Sequence, residues 1–240
     1  RYRCKLSWIS AKFGMAACSI HHIGVGVRNE EVVREVLSAK LGFKEVAFRD
    51  SWCDHKVVLK RSGVTFVITS CKTAATSADG TDGVTAFEYP DFSYSWRQPS
   101  EVEDNGIRYT DLNVADSVYE ICLEVDDVSQ VLANAISAGA EVVKPFTEVN
   151  GEDGRISYAA VRSCVGNIIH TLVNTQHYRG SFLPGFSSSQ AAQSEANEPD
   201  DLIGEVKLDH FAFGVPFGKA IDTIRWYEKV FGMPRRLLSK

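Results

Sequence analysis

Apolar residues alternate with small or polar ones along three stretches: 20–27 (IHHIGVGV), 118–125 (VYEICLEV) and 208–215 (LDHFAFGV). A period of two is that of a half-buried strand. Each stretch is followed by apolar residues at helical spacing. The first stripe is Val32, Val33, Val36 and Leu37; the second is Val128, Val131, Leu132, Ala135 and Ile136; the third is Ile221, Ile224, Tyr227, Val230 and Phe231. The stripes stop at Gly42, Gly139 and Gly232, residues that take a left-handed cap at no steric cost. Behind the first helix come strand-like runs at 43–49, 55–60 and 64–70, and behind the second at 141–143, 155–163 and 167–174.

The unit is therefore βαβββ, present twice, with a third copy broken off after its helix. Two such units can join their strands into one curved sheet with helices outside and a concave cavity within, an α+β architecture. The pattern divides the chain into an N-terminal extension at 1–17, a first domain at 18–186, a linker at 187–205 and the start of a second domain at 206–240. The linker (SSSQAAQSEANEPDD at its core) is rich in Ser, Gln, Ala and acids without apolar periodicity. A long aperiodic loop at 71–116 carries Tyr89, Phe92, Tyr94, Trp96 and Tyr109; these can pack on the loop's own domain or contact a partner. Residues 1–28 hold Arg1, Arg3, Lys5, Lys12 and Arg28 with no acid, as an organellar transit segment would, unless Met15 is the start. Both ends read as cut.

Composition narrows the function. Among 240 residues, 26 Lys and Arg face 31 Asp and Glu, a formal charge of −5, and 44% are hydrophobic. This is a folding composition without the basic surface that nucleic acid or an anionic membrane demands. No apolar run approaches the ~18–20 residues of a membrane span. The six cysteines are scattered with no CxxC pair, which reads as reduced thiols in an intracellular protein, with Cys122 a core residue.

The repeat puts His22, Glu120 and His210 at one equivalent position, mid-way along the opening strand of each unit. Two imidazoles and one carboxylate with open positions are the set used for non-haem Fe(II) and O₂. His170, within IIHTLV, could instead complete a first-domain triad with His22 and Glu120, and spacing alone does not reject it. His21 is expected on the opposite side from His22, and His55 and His177 near turns in solvent. No GxSxG, GxxxxGK[ST] or strand-to-helix GxGxxG motif is present.

The run His177 to Phe186 (HYRGSFLPGF), with Leu41-Gly42-Phe43, the Ile169 to Val173 strand, the Leu208-Asp209-His210 restart and the Trp226 to Phe231 helix, carries a resemblance. From about Ile20 onward the chain resembles the 4-hydroxyphenylpyruvate dioxygenase family, with its hydroxymandelate synthase branch, in the vicinal oxygen chelate superfamily. The loop at 71–116 is longer than that family leads one to expect. The resemblance implies a vicinal oxygen chelate fold of paired βαβββ modules and an Fe(II) cofactor. It implies oxidative decarboxylation of a 2-oxo acid with O₂, yielding homogentisate or hydroxymandelate in tyrosine metabolism. It assigns one iron ligand, His210 of the Asp209-His210 pair, places the second His and the Glu beyond Lys240, and leaves the first domain without metal. His22, Glu120 and His170 are then structural. A homo-oligomer in the cytoplasm or mitochondrion is expected, and the 240-residue chain alone is expected to be inactive. Two other readings stay open: a metal-free binding module, and an isomerase or epimerase of the same fold using the His22 site.

Overall fold

Two of the three alternating stretches lie side by side. Strand β2 (Cys18–Val27) pairs antiparallel with β6 (Ser117–Val125) at the middle of a nine-stranded sheet. The computed structural model describes residues 2–7, 18–51, 54–71, 117–166, 168–189 and 206–233. The loop residues 72–116 with their aromatics, and 190–205 of the expected linker, lie outside these.

The first module runs β2, helix α1 (Glu30–Glu35), β3 (Lys44–Asp50), β4 (Asp54–Arg61) and β5 (Val64–Cys71). Strands β3, β4 and β5 zigzag antiparallel, and β5 returns parallel to β2. A parallel return needs a long crossover, which the helix and two strands supply. The second module repeats the path with β6, α2 (Val128–Ser137), β7 (Val142–Gly151), β8 (Gly154–Arg162) and β9 (Ile169–Tyr178), β9 lying parallel to β6. Apart from the edge strand β10 (Ser187–Ser188), the sheet order β3-β4-β5-β2-β6-β9-β8-β7 is symmetric about the β2–β6 seam. The βαβββ unit read from the alternation is the topology observed, twice.

Local chemistry explains the helix ends. The Asn29 and Asp127 side chains accept from the backbone N–H of Val32 and Gln130, capping α1 and α2. Gly42, Gly139 and Gly232 have φ of 68°, 80° and 65°, as the expected left-handed caps require. The stripe expected on α1 is only half realised. Val33 and Leu37 pack against Val27 and Phe43, whereas Val32 and Val36 are exposed. The helix widens into a π turn at Val36–Lys40, and the extra residue rotates the apolar phase.

Strand β7 is much longer than the expected run at 141–143. Its polar residues and Pro145 are tolerated because it is an edge strand with register shifts between Val142 and Thr147. The third copy begins as β11 (His210–Val215) and α3 (Ala220–Phe231). β11 pairs antiparallel with β1 (Tyr2–Ser7), a strand within the expected N-terminal extension. Helix α3 buries Tyr227, Val230 and Phe231 in the same cluster as Val128, Leu132 and Ala135 of α2. Among the described residues no helix is long and apolar enough to cross a membrane.

Candidate functional site

His210 is the first residue of β11 rather than mid-strand as the repeat expects, and its Nδ1 lies 2.5 Å from Asp209 Oδ2. The carboxylate holds Nδ1–H and leaves Nε2 as the free lone pair, the tautomer of a metal-ligating histidine. The His210 side chain is 35% exposed and that of Asp209 93% exposed, so the pair sits at a surface. A mononuclear iron needs several donors round open positions. Among the described residues no further His, Cys, Asp or Glu joins His210 to make a group of three. The Asp209–His210 pair fits one ligand of such a centre and no more.

The candidates on β2, β6 and β9 separate. His22 and Glu120 are fully buried, with His22 Nε2 3.5 Å from Glu120 Oε2. Glu120 Oε1 accepts from the Thr171 hydroxyl at 2.5 Å. His170 does not join them as a third ligand. Its Nδ1–H faces the Ile121 carbonyl at 3.4 Å, and its Nε2 is 2.8 Å from the Tyr227 hydroxyl. Tyr227 is in turn 2.9 Å from Ser163 Oγ, which accepts from the Val165 N–H at 3.1 Å. Hydrogen-bond logic orients the relay: Ser163 donates to Tyr227, Tyr227 to His170 Nε2, and His170 Nδ1 to Ile121. Burial pulls the His170 pKa down to about 4, against the pull of the Ile121 carbonyl and Glu120, so the ring is a neutral structural element.

The expectation that His21 faces away from His22 is overturned. The two Nδ1 atoms are 2.8 Å apart. The pairing runs Ile20 with Leu123 and then His22 with Cys122, so His21 is the extra residue of a β-bulge. A bulge sets two successive side chains against one partner and breaks the alternation. Burial, then His22 and Lys60, lower the His21 pKa to about 3. The expected solvation of His55 is also corrected: its Nδ1 is 2.6 Å from Glu30 Oε2 and its side chain is 31% exposed, because β4 brings it against the start of α1. His177 is exposed, as expected.

The HYRGSFLPGF run acts as a cover. Phe182, Leu183 and Phe186 pack with Ala47, Val58 and Cys122, and the Phe182 ring lies 5.4 Å from His21 and 5.3 Å from His22. Beside it opens a cavity of about 390 Å³ whose lining includes His21, Lys60, Glu124, Thr175, Tyr178 and Phe182. Burial raises the Glu124 pKa; the Thr175 N–H and hydroxyl, both bonded to its Oε1, oppose that rise, and Asp126 adds to it.

No family model matches the chain. It is 36% identical over 120 residues to the 4-hydroxyphenylpyruvate dioxygenase of Caenorhabditis elegans, covering 50% of this chain and 30% of that protein. To the 4-hydroxyphenylpyruvate dioxygenase of Coccidioides posadasii it is 26% identical over 219 residues, 89% of this chain and 50% of that one. The chain thus spans half or less of the length of these relatives. A triple mutant of 4-hydroxymandelate synthase from Streptomyces coelicolor superimposes with a TM-score of 0.62 at 20% identity, over 93% of this chain and 55% of the other. That likeness establishes the fold as vicinal oxygen chelate.

Proposed function

The chain is a relative of the 4-hydroxyphenylpyruvate dioxygenases with the vicinal oxygen chelate fold, and from that premise we propose that it belongs to an Fe(II)-dependent dioxygenase acting on 4-hydroxyphenylpyruvate. The substrate is a 2-oxo acid and the co-substrate O₂. Carbon dioxide leaves from the side chain, one oxygen atom enters the new carboxylate and the other a hydroxyl, on the ring (homogentisate) or the benzylic carbon (hydroxymandelate).

The reading is carried by the length of the match. An alignment covering 89% of the chain has to reach His210 at the start of β11, from whichever end it is counted. His210 is the ligand this chain would contribute. Asp209 accepts its Nδ1–H, fixing the tautomer and the orientation of the ring. Iron, when bound, supplies a Lewis acid for the 2-oxo acid and the redox capacity to reduce O₂. The second module closes a core against α3, and so holds the helix that follows the proposed ligand strand.

The test is oxygen uptake by the protein of the complete reading frame, reconstituted with Fe(II) and given 4-hydroxyphenylpyruvate. Uptake of O₂ matched by release of CO₂ is expected. Tight iron-free binding of the substrate with no uptake would overturn the enzyme and favour a binding module.

A further inference from the structure

We propose that His21, His22 and Cys122 form a site for a zinc-class transition-metal ion in the first domain, separate from any iron held through His210. One donor atom from each lies within 4.8 Å of the others, and among the described residues no other group of His, Cys, Asp and Glu does this. The bulge at His21 creates the cluster. It turns two successive imidazoles to the same side of β2, while the register sets Cys122 directly across from His22. Donors on paired central strands are held more tightly than donors on loops.

The chemistry selects the ion. Two nitrogens and a sulfur suit zinc and its neighbours, whereas calcium and magnesium require oxygen ligands. Zinc bonds of about 2.0–2.1 Å to nitrogen and about 2.3 Å to sulfur put tetrahedral donors about 3.3–3.6 Å apart. The two imidazoles would have to part slightly from their 2.8 Å contact, and the widest gap close by roughly 1 Å, both within the reach of side-chain rotation.

Glu120 supplies an independent sign. Its Oε2 is buried and accepts no hydrogen bond, 3.5 Å from His22 Nε2, while Oε1 is held by Thr171. With His22 ligating through Nδ1, its Nε2–H would donate to this oxygen. That is the carboxylate–histidine–metal arrangement in which the carboxylate orients the ligand. His21 lines the cavity with Lys60 and Glu124, so a fourth ligand, water or a small anion, would enter from there. Phe182 shields both imidazoles.

The experiment titrates the reduced, metal-free 240-residue chain with Co(II), then Zn(II). One equivalent of Co(II) should produce a thiolate-to-cobalt charge-transfer absorption that one equivalent of Zn(II) removes. Cys122→Ser should abolish the absorption, and His21→Ala, at a half-buried position, should weaken Co(II) binding at least tenfold. Glu120→Gln should keep the absorption and lower zinc affinity about 10- to 100-fold. Cys164→Ser and His210→Ala should bind as the unaltered chain does. Absence of the absorption from the unaltered chain, its persistence in Cys122→Ser, or unchanged affinity in His21→Ala would overturn the site.

Discussion

Deleting one hydroxyl should loosen the junction between α3 and the second module. Tyr227→Phe keeps the ring stacked on Phe213 and in edge contact with His170, and removes only the oxygen between His170 Nε2 and Ser163 Oγ. Tyr227 is fully buried, so no water replaces it. His170 loses the donor to Nε2, and Ser163 loses its acceptor. One buried polar group left unpaired costs about 1–3 kcal/mol, and Ser163 can turn elsewhere, so about 2 kcal/mol is expected. That lowers the folding equilibrium about 30-fold. Urea unfolding followed by tryptophan fluorescence measures it, since Trp226 lies 5.0 Å from Tyr227 and 6.2 Å from His170 between ring centroids. Ser163→Ala combined with Tyr227→Phe should cost less than the sum of the two, because both act on one relay. An unchanged midpoint at unchanged slope would refute the relay.

Two further outcomes follow from the same core. His170 is held neutral with a pKa near 4 against an ordinary 6.5, so the unfolded chain binds the proton first as pH falls. Its contribution is present above about 6.5 and is lost between there and 4, by up to about 3 kcal/mol; His170→Gln should flatten the stability profile in that window, and an unaltered slope would contradict the assignment. Gly24→Ala would set a methyl 2.9 Å from Glu120 Cβ and 3.0 Å from Tyr119 Cζ, both in the buried seam, so a loss of about 1–3 kcal/mol is expected in thermal unfolding. Gly214→Ala meets nothing within 4 Å and is the control; equal melting temperatures for the two would be the contrary result.

What the chain reveals before folding is its repetition. Strict alternation in three stretches and glycines closing three helices were enough for the module, its duplication and the cap conformations, since those signals are local. The bulge was not legible. Alternation sends His21 and His22 to opposite faces, and only pairing with β6 shows that one residue is extra. For the same reason Cys122 read as plain core; no local spacing tells that it sits across the strand from an imidazole. The His170 relay joins residues 57 and 64 positions apart, beyond any periodicity. HYRGSFLPGF was distinctive as a string, but its physical role, aromatic rings laid over the histidine pair, emerges from packing alone. Edge strand β7 hid behind its polar residues and Pro145, which a strand open on one side accepts.

Iron content and oxygen uptake of two alanine variants, prepared in the complete protein, test the proposed ligand His210 against His22. With 4-hydroxyphenylpyruvate as substrate, His210→Ala should lose bound iron and lower turnover at least about a hundredfold, beyond what an outer-shell change costs. His22→Ala should keep both. Iron and turnover lost in His22→Ala and retained in His210→Ala would contradict the assignment.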